Sequence, residues 1–195
     1  MYTTAKKGDG QGHINHWGYS PAINLLPETT KSKNLPPLPS SMVLLNSGDP
    51  RNILYTLWSS KSSKNSLNFQ IVEGQHELLA RQILLLAIAL DRHNYSLKEK
   101  VSTYLEVFGN SMVRSVTIDR LDSMINTIVQ ALTDPDYKSE RFPNFDFSRL
   151  RQKDIDALEN VFVYRMVWRK CRENGRKWLK IAKMIKIDLF RPKMT

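Results

Sequence analysis

Three residues of this chain have the types and spacing for nucleotide chemistry. Gly48 and Asp49 lie in the turn Asn46-Ser47-Gly48-Asp49-Pro50, and Glu73 follows the run Leu67-Asn68-Phe69-Gln70-Ile71-Val72. A turn at a helix start aims backbone N–H groups at an anionic ligand, while an acid ending the next strand accepts hydrogen bonds from ribose. The glycine content works against a functioning site. Phosphate and S-adenosylmethionine loops usually carry two or three glycines; this turn has Gly48 alone, and Pro50 lacks an N–H. The expectation is a retained fold with a blunted Gly48/Asp49/Glu73 site, so no catalytic, cofactor-binding or metal-binding residue is assigned.

The elements around that turn follow from periodicity. Met42-Val43-Leu44-Leu45 reads as a strand buried on both faces, residues 52–58 as a short helix and 67–72 as a second strand. Such a unit predicts a right-handed parallel crossover. Residues 75–90 are apolar nearly all round, as in a helix buried between layers. Leu97, Val101, Tyr104, Leu105, Phe108 and Met112 form a stripe at helical spacing, interrupted by Gly109, where close packing is the expected reason. Ile118, Leu121, Ile125, Ile128, Val129 and Leu132 make another helix, closed by Thr133-Asp134-Pro135. An aromatic-rich loop over 141–148 carries Phe142, Phe145 and Phe147, and a last helix carries Ile155, Leu158, Val161, Phe162 and Met166. The fold class predicted is α/β, with a short parallel sheet among mostly helical surroundings.

Other chemistry-bearing residues read as structural. His13 and His16 have zinc-ligand character, but no Cys-x-x-Cys or second histidine pair completes a set. His76 and His93 flank the apolar helix without a nucleophile motif, and a polar helix-end role follows. Cys171 sits among Arg169, Lys170 and Arg172, which favour thiolate, with no partner cysteine for redox work. Glu106 stands among apolar residues, with an i,i+4 hydrogen bond to Asn110 as the expected role. Asp154, Asp156 and Glu159 suit a solvated helix face.

Composition bounds the class. A chain of 195 residues is one domain by length, and its single cysteine, Cys171, allows no intrachain disulfide, which fits a reducing compartment. The longest apolar stretch, 78–90, is broken by Arg81 and Gln82 and is too short to span a bilayer. The formal charge of +10 is uneven: residues 165–195 hold eleven Lys or Arg against Glu173 and Asp188. The body is therefore nearly neutral, which argues against nucleic acid as its partner. Within 165–195, Trp178, Ile181, Ile185 and Leu189 recur at helical spacing among lysines, a pattern suited to an anionic membrane surface or a calmodulin-type partner.

The organisation predicted is an N-terminal arm and proline-rich linker over 1–41, an α/β domain over 42–164 and a basic tail over 165–195. Within the arm, 16–25 concentrates Trp17, Tyr19 and aliphatics and is expected to pack back on its own domain through the aromatics.

Several blocks resemble one family in order and spacing. They are Trp17-Gly18-Tyr19-Ser20-Pro21-Ala22, Val43-Leu44-Leu45-Asn46-Ser47-Gly48-Asp49-Pro50-Arg51-Asn52-Ile53-Leu54 and Asn68-Phe69-Gln70-Ile71-Val72-Glu73. Ala80-Arg81-Gln82, Tyr104-Leu105-Glu106-Val107-Phe108-Gly109-Asn110 and Arg151-Gln152-Lys153-Asp154-Ile155-Asp156-Ala157-Leu158-Glu159-Asn160-Val161-Phe162 continue the series. Together they resemble the start of the dynein axonemal assembly factor three family. The resemblance implies a non-enzymatic cytoplasmic factor for preassembly of axonemal dynein arms, needed for motile cilia, with axonemal dynein chains and chaperone machinery as partners. It implies a partial Rossmann-like, methyltransferase-like sheet, incomplete at the C-terminus. Pro50 departs from the family, which has glycine there, and the resemblance stops near Tyr164. The competing expectation is an S-adenosylmethionine-dependent methyltransferase-like enzyme with a degenerate site at Gly48, Asp49 and Glu73.

Overall fold

β1 (Ser41–Leu45) and β2 (Asn68–Val72) pair in parallel, from Ser41 opposite Asn68 to Leu45 opposite Val72, with α1 (Arg51–Ser59) between them in the chain. This computed structural model describes residues 20–26, 41–60, 66–91, 95–109 and 113–169. The architecture is mixed and mostly helical, with α2 (His76–Leu90), α3 (Leu97–Gly109), α4 (Ser115–Thr133), α5 (Pro135–Arg141) and α6 (Gln152–Arg169) following the two-stranded sheet.

The strand–helix–strand unit forms where the sequence places it, but β1 is not buried on both faces. Leu44 packs with Ile53 of α1 and Leu86 of α2, and Phe69 and Ile71 join that cluster. On the other face Val43 and Leu45 are 58% and 70% exposed, and Val72 is 51% exposed. An apolar run alone does not say how many layers cover it. The first and second helices both contribute to the Leu44 side, and among the described residues no element covers the other.

α2 is the central helix, and its residues 80–88 form an unbroken buried stretch, as its all-round apolar character requires. Leu84 and Leu85 pack in one core with Val107 of α3, Ile128 of α4 and Leu158 and Phe162 of α6. Burying side chains of this size contributes roughly 1.5–3 kcal/mol each, so this core, rather than the small sheet, holds the described residues together.

Two local expectations fail in informative ways. The stripe expected on α3 splits: Tyr104 and Phe108 pack against the core beside the buried Thr103, Glu106 and Val107, whereas Leu97, Val101 and Leu105 face outward and Met112 lies outside the described residues. A Cβ on Gly109 would meet no atom within 4 Å among the described residues, so close packing does not explain that glycine. Asp134-Pro135, read as the end of α4, also begins α5. The Asp134 carboxylate accepts the N–H groups of Asp136 and Tyr137 at 3.0 Å, with proline at the first helical turn.

The described part of the arm packs back through aliphatic residues. Leu26 is buried, Leu25 joins the Leu44 cluster, and the Leu25 N–H donates to Thr56 Oγ1 at 2.9 Å. Trp17, Tyr19, the proline-rich linker and the basic tail from Lys170 onward lie outside the described residues.

Candidate functional site

The turn after β1 is built by two residues with positive φ, Asn46 at 47° and Gly48 at 71°. Asparagine tolerates the left-handed region because its short polar side chain bonds locally, and glycine has no Cβ to clash. Asn46 donates its N–H to the Val72 carbonyl at 2.8 Å and accepts the Gly74 N–H at 3.2 Å through Oδ1. It therefore locks the ends of both strands together.

The three sequence-predicted residues do converge here, but Glu73 binds the Gly48 backbone and Asp49 binds Arg51. Glu73 Oε1 accepts the Gly48 N–H at 2.9 Å and a proton of the Gln82 amide, and the Ser47 hydroxyl donates to it at 3.3 Å. Gln82 is fully buried and also donates to Ser47 Oγ at 3.1 Å. The other carboxylate oxygen, Glu73 Oε2, is buried with no hydrogen-bond partner among the described residues. Asp49, 4% exposed, accepts the Arg51 N–H at 3.0 Å and the Arg51 Nε–H at 2.9 Å, taking up the first backbone donor of α1. The backbone N–H that a ligand site would turn outward, that of Gly48, is taken up by a carboxylate of the same chain.

Beside the turn lies a cationic and aromatic cluster that sequence reading missed. The Arg51 and Arg81 guanidinium carbons sit 5.8 Å and 5.3 Å from the Phe108 ring centroid, and Arg81 Nη2 donates to the Phe108 carbonyl at 3.0 Å. Tyr104 stacks on Phe108 with centroids 5.9 Å apart. Burial, followed by the negative charge of Asp49, pushes the Tyr104 hydroxyl up to about 12. Arg81 and Gln82, which interrupt the apolar sequence of α2, are the residues that tie that helix to α3 and to the turn. The signal for them was present: two long polar side chains in an otherwise apolar helix must find partners.

The remaining candidates separate. His76 Nε2 lies 3.2 Å from Asp154 Oδ1, joining the start of α2 to the start of α6. Arg151 and then His76, by hydrogen bonding, hold the Asp154 carboxyl down at about 2. Asp154 thus links two helices, whereas Asp156 is exposed as expected. Burial pushes the Glu106 carboxyl up, but hydrogen bonds from Thr117 and from the Arg114 backbone and side chain outweigh it and hold it low. Glu106 is structural, as its surroundings suggested, with Arg114 as its partner; Asn110 lies outside the described residues, as do His13, His16, His93 and Cys171. Among the described residues no group of three or more His, Cys, Asp or Glu could hold a metal ion, and no helix is long and apolar enough to cross a membrane.

Comparison with known proteins bears out the resemblance carried by the ordered blocks. The chain is 36% identical over 163 residues to Dynein axonemal assembly factor 3 of Xenopus laevis, covering 78% of this chain and 33% of the relative. It is 30% identical over 173 residues to the Homo sapiens protein of that name, covering 84% and 32% respectively. For the Danio rerio protein the identity is 31% over 157 residues, covering 79% and 33%. The chain spans about a third of the length of these relatives. No solved structure matches it. A family model described as "Domain of unknown function (DUF4470)" matches residues 16–113, half of the chain, and the chain belongs to that family.

Proposed function

We propose that this chain is part of a cytoplasmic assembly factor for axonemal dynein arms, required for motile cilia and acting through protein contacts without catalysis. The similarity to proteins named Dynein axonemal assembly factor 3 across about four-fifths of the chain carries this reading. Its partners are axonemal dynein chains and chaperone machinery, not nucleic acid. The working unit is the domain over 42–164, with the arm over 1–41 and the tail over 165–195 as its extensions. The two parallel strands joined through α1 are the opening of a Rossmann-like, methyltransferase-like sheet.

The geometry of the turn supports a non-catalytic role. In a nucleotide or S-adenosylmethionine site the Gly48 N–H would face the ligand and Glu73 would face ribose. Here each is the other's partner at 2.9 Å, and binding would have to break that bond together with the Gln82 contact. Calorimetry with S-adenosylmethionine is expected to give no heat of binding. A micromolar affinity, about 8 kcal/mol, that vanished in Glu73→Ala would restore the enzyme reading.

The decisive experiment removes the protein from a multiciliated cell and images the axoneme. Loss of outer or inner dynein arms is expected; a full complement of arms would sink the proposal.

A further inference from the structure

We propose that Leu97, Val101 and Leu105 of α3 form a docking ridge for an acidic amphipathic helix of a protein partner. The inference rests on the reading of this chain as a protein-contact module and adds the surface and the chemistry of what it takes.

The spacing of four puts the three side chains on one row of the helix, about 12 Å long at 1.5 Å per residue. They are 75%, 49% and 58% exposed. The opposite side of α3 is anchored in the core by Val107, yet it also buries Thr103 and Glu106. A surface helix normally does the reverse, turning apolar residues inward and polar ones to water. Here three large aliphatic side chains stand outside while a threonine and a glutamate share the inner side with Tyr104, Val107 and Phe108. A contiguous exposed apolar row is the signature of a contact surface, and an i±4 ridge fits between the side-chain rows of another helix.

Charge selects the occupant. Lys98 is exposed next to the row, and Arg114, its side chain 62% exposed, donates to Ser102 Oγ and Glu106 on the same flank. Lys100 lies towards the other flank, its ammonium donating to the Asp91 carbonyl at 2.6 Å. The acids of the helix are engaged by its own fold: Glu99 by Ser96 and Arg120, Glu106 by Arg114. With Arg114 matched by Glu106 and Glu99 by Arg120, the borders of the apolar ridge keep the positive charges of Lys98 and Lys100, the complement of a helix with leucine-type anchors and acidic flanks. A second copy of this chain fits badly, because antiparallel self-packing sets the Lys98–Arg114 flank against its own image. Insertion into a lipid surface is also disfavoured, since the other side of α3 is fixed in the core and the row offers only three apolar side chains.

The test uses the full chain and two fluorescent synthetic helices of equal length. Both carry leucine at i, i+4 and i+8; one is flanked by glutamates and the other by lysines. The glutamate-flanked helix is expected to bind with micromolar affinity, at least tenfold tighter than the lysine-flanked one. It should slow amide exchange in α3 of the unaltered chain. Leu97→Ser with Leu105→Ser should weaken binding at least tenfold without moving the unfolding midpoint, and Lys98→Glu should narrow the preference between the two helices. Equal binding of both helices, no binding, or no exchange protection in α3 would overturn the proposal. So would α3-dependent dimers by sedimentation, or binding to phosphatidylserine vesicles lost in the same double variant. None of these results bears on the axoneme experiment, which stands or falls by itself.

Discussion

Glu73 Oε1 lies 2.9 Å from the backbone nitrogen of Gly48 and accepts its N–H, so the end of the second strand closes the turn that follows the first. The same oxygen takes the Gln82 amide, which makes one carboxylate the common anchor of β1, β2 and α2. Removing it leaves a backbone donor and a buried amide without their acceptor. Glu73→Ala is therefore expected to lower the unfolding free energy by about 2 kcal/mol, from the usual range for hydrogen bonds to a charged group. Urea unfolding checks this, and a midpoint equal to that of the parent chain would show that the carboxylate is not an anchor.

Tyr104 supplies an alkaline signature. Its hydroxyl ordinarily titrates at 10.0 and is pushed up to about 12, by burial first and by Asp49 second. The unfolded chain gives up this proton near 10 and the folded chain near 12, so the unfolded state binds fewer protons between them. The stability tied to this group is complete below about pH 10 and declines as the pH climbs towards 12. Tyrosinate absorbance near 295 nm should show one late-titrating phenol that Tyr104→Phe removes. Unchanged late absorbance in that variant would assign it to another tyrosine.

Asp154 gives the acid counterpart. Its carboxyl falls from the ordinary 3.8 to about 2 because Arg151, then His76, hydrogen-bond to its charged form. The unfolded chain takes up the proton first as pH falls, so this contribution is present above about pH 3.8 and lost on the way down to about 2. Carbon-detected titration of the side-chain carboxyl should place its midpoint near 2. A midpoint in the ordinary range would mean that the Arg151 and His76 contacts do not persist in solution.

The exposed sheet face makes a prediction about association. Leu45 is 70% exposed beside Val72 and Val43 in a two-stranded sheet whose outer edges are unpaired among the described residues. Such a face favours edge-to-edge and face-to-face contact between chains. Leu45→Lys should change stability by no more than about 0.5 kcal/mol, as exposed substitutions do. It should reduce light scattering on concentration. Scattering that did not respond would place the sticky surface elsewhere.

The strand–helix–strand unit was legible because 42–45 and 67–72 are apolar runs bounded by turn formers, and the helices were legible from their spacing. Exposure was not. Val43, Leu45, Leu97, Val101 and Leu105 are core residues by type, and only the count of layers around them reveals that they face out. The helix α5 was hidden by a signal with two meanings, since Asp134-Pro135 both ends one helix and caps the next. At the turn, Gly48, Asp49 and Glu73 were found by pattern. Their mutual pairing depended on Gln82, whose burial is a tertiary fact; in the sequence it reads as an interruption.

The place of α2 at the centre of the core has a consequence for the chain as it is being made. Ile83, Leu84, Leu85, Ala87 and Ile88 are covered in part by Leu158 and Phe162, which leave the ribosome about seventy residues after α2 is complete. At 5–20 residues per second that delay is roughly 4–14 s. Through that interval the nascent chain carries an apolar helix lacking one of its walls. For those seconds its solubility rests on whatever holds the helix during translation.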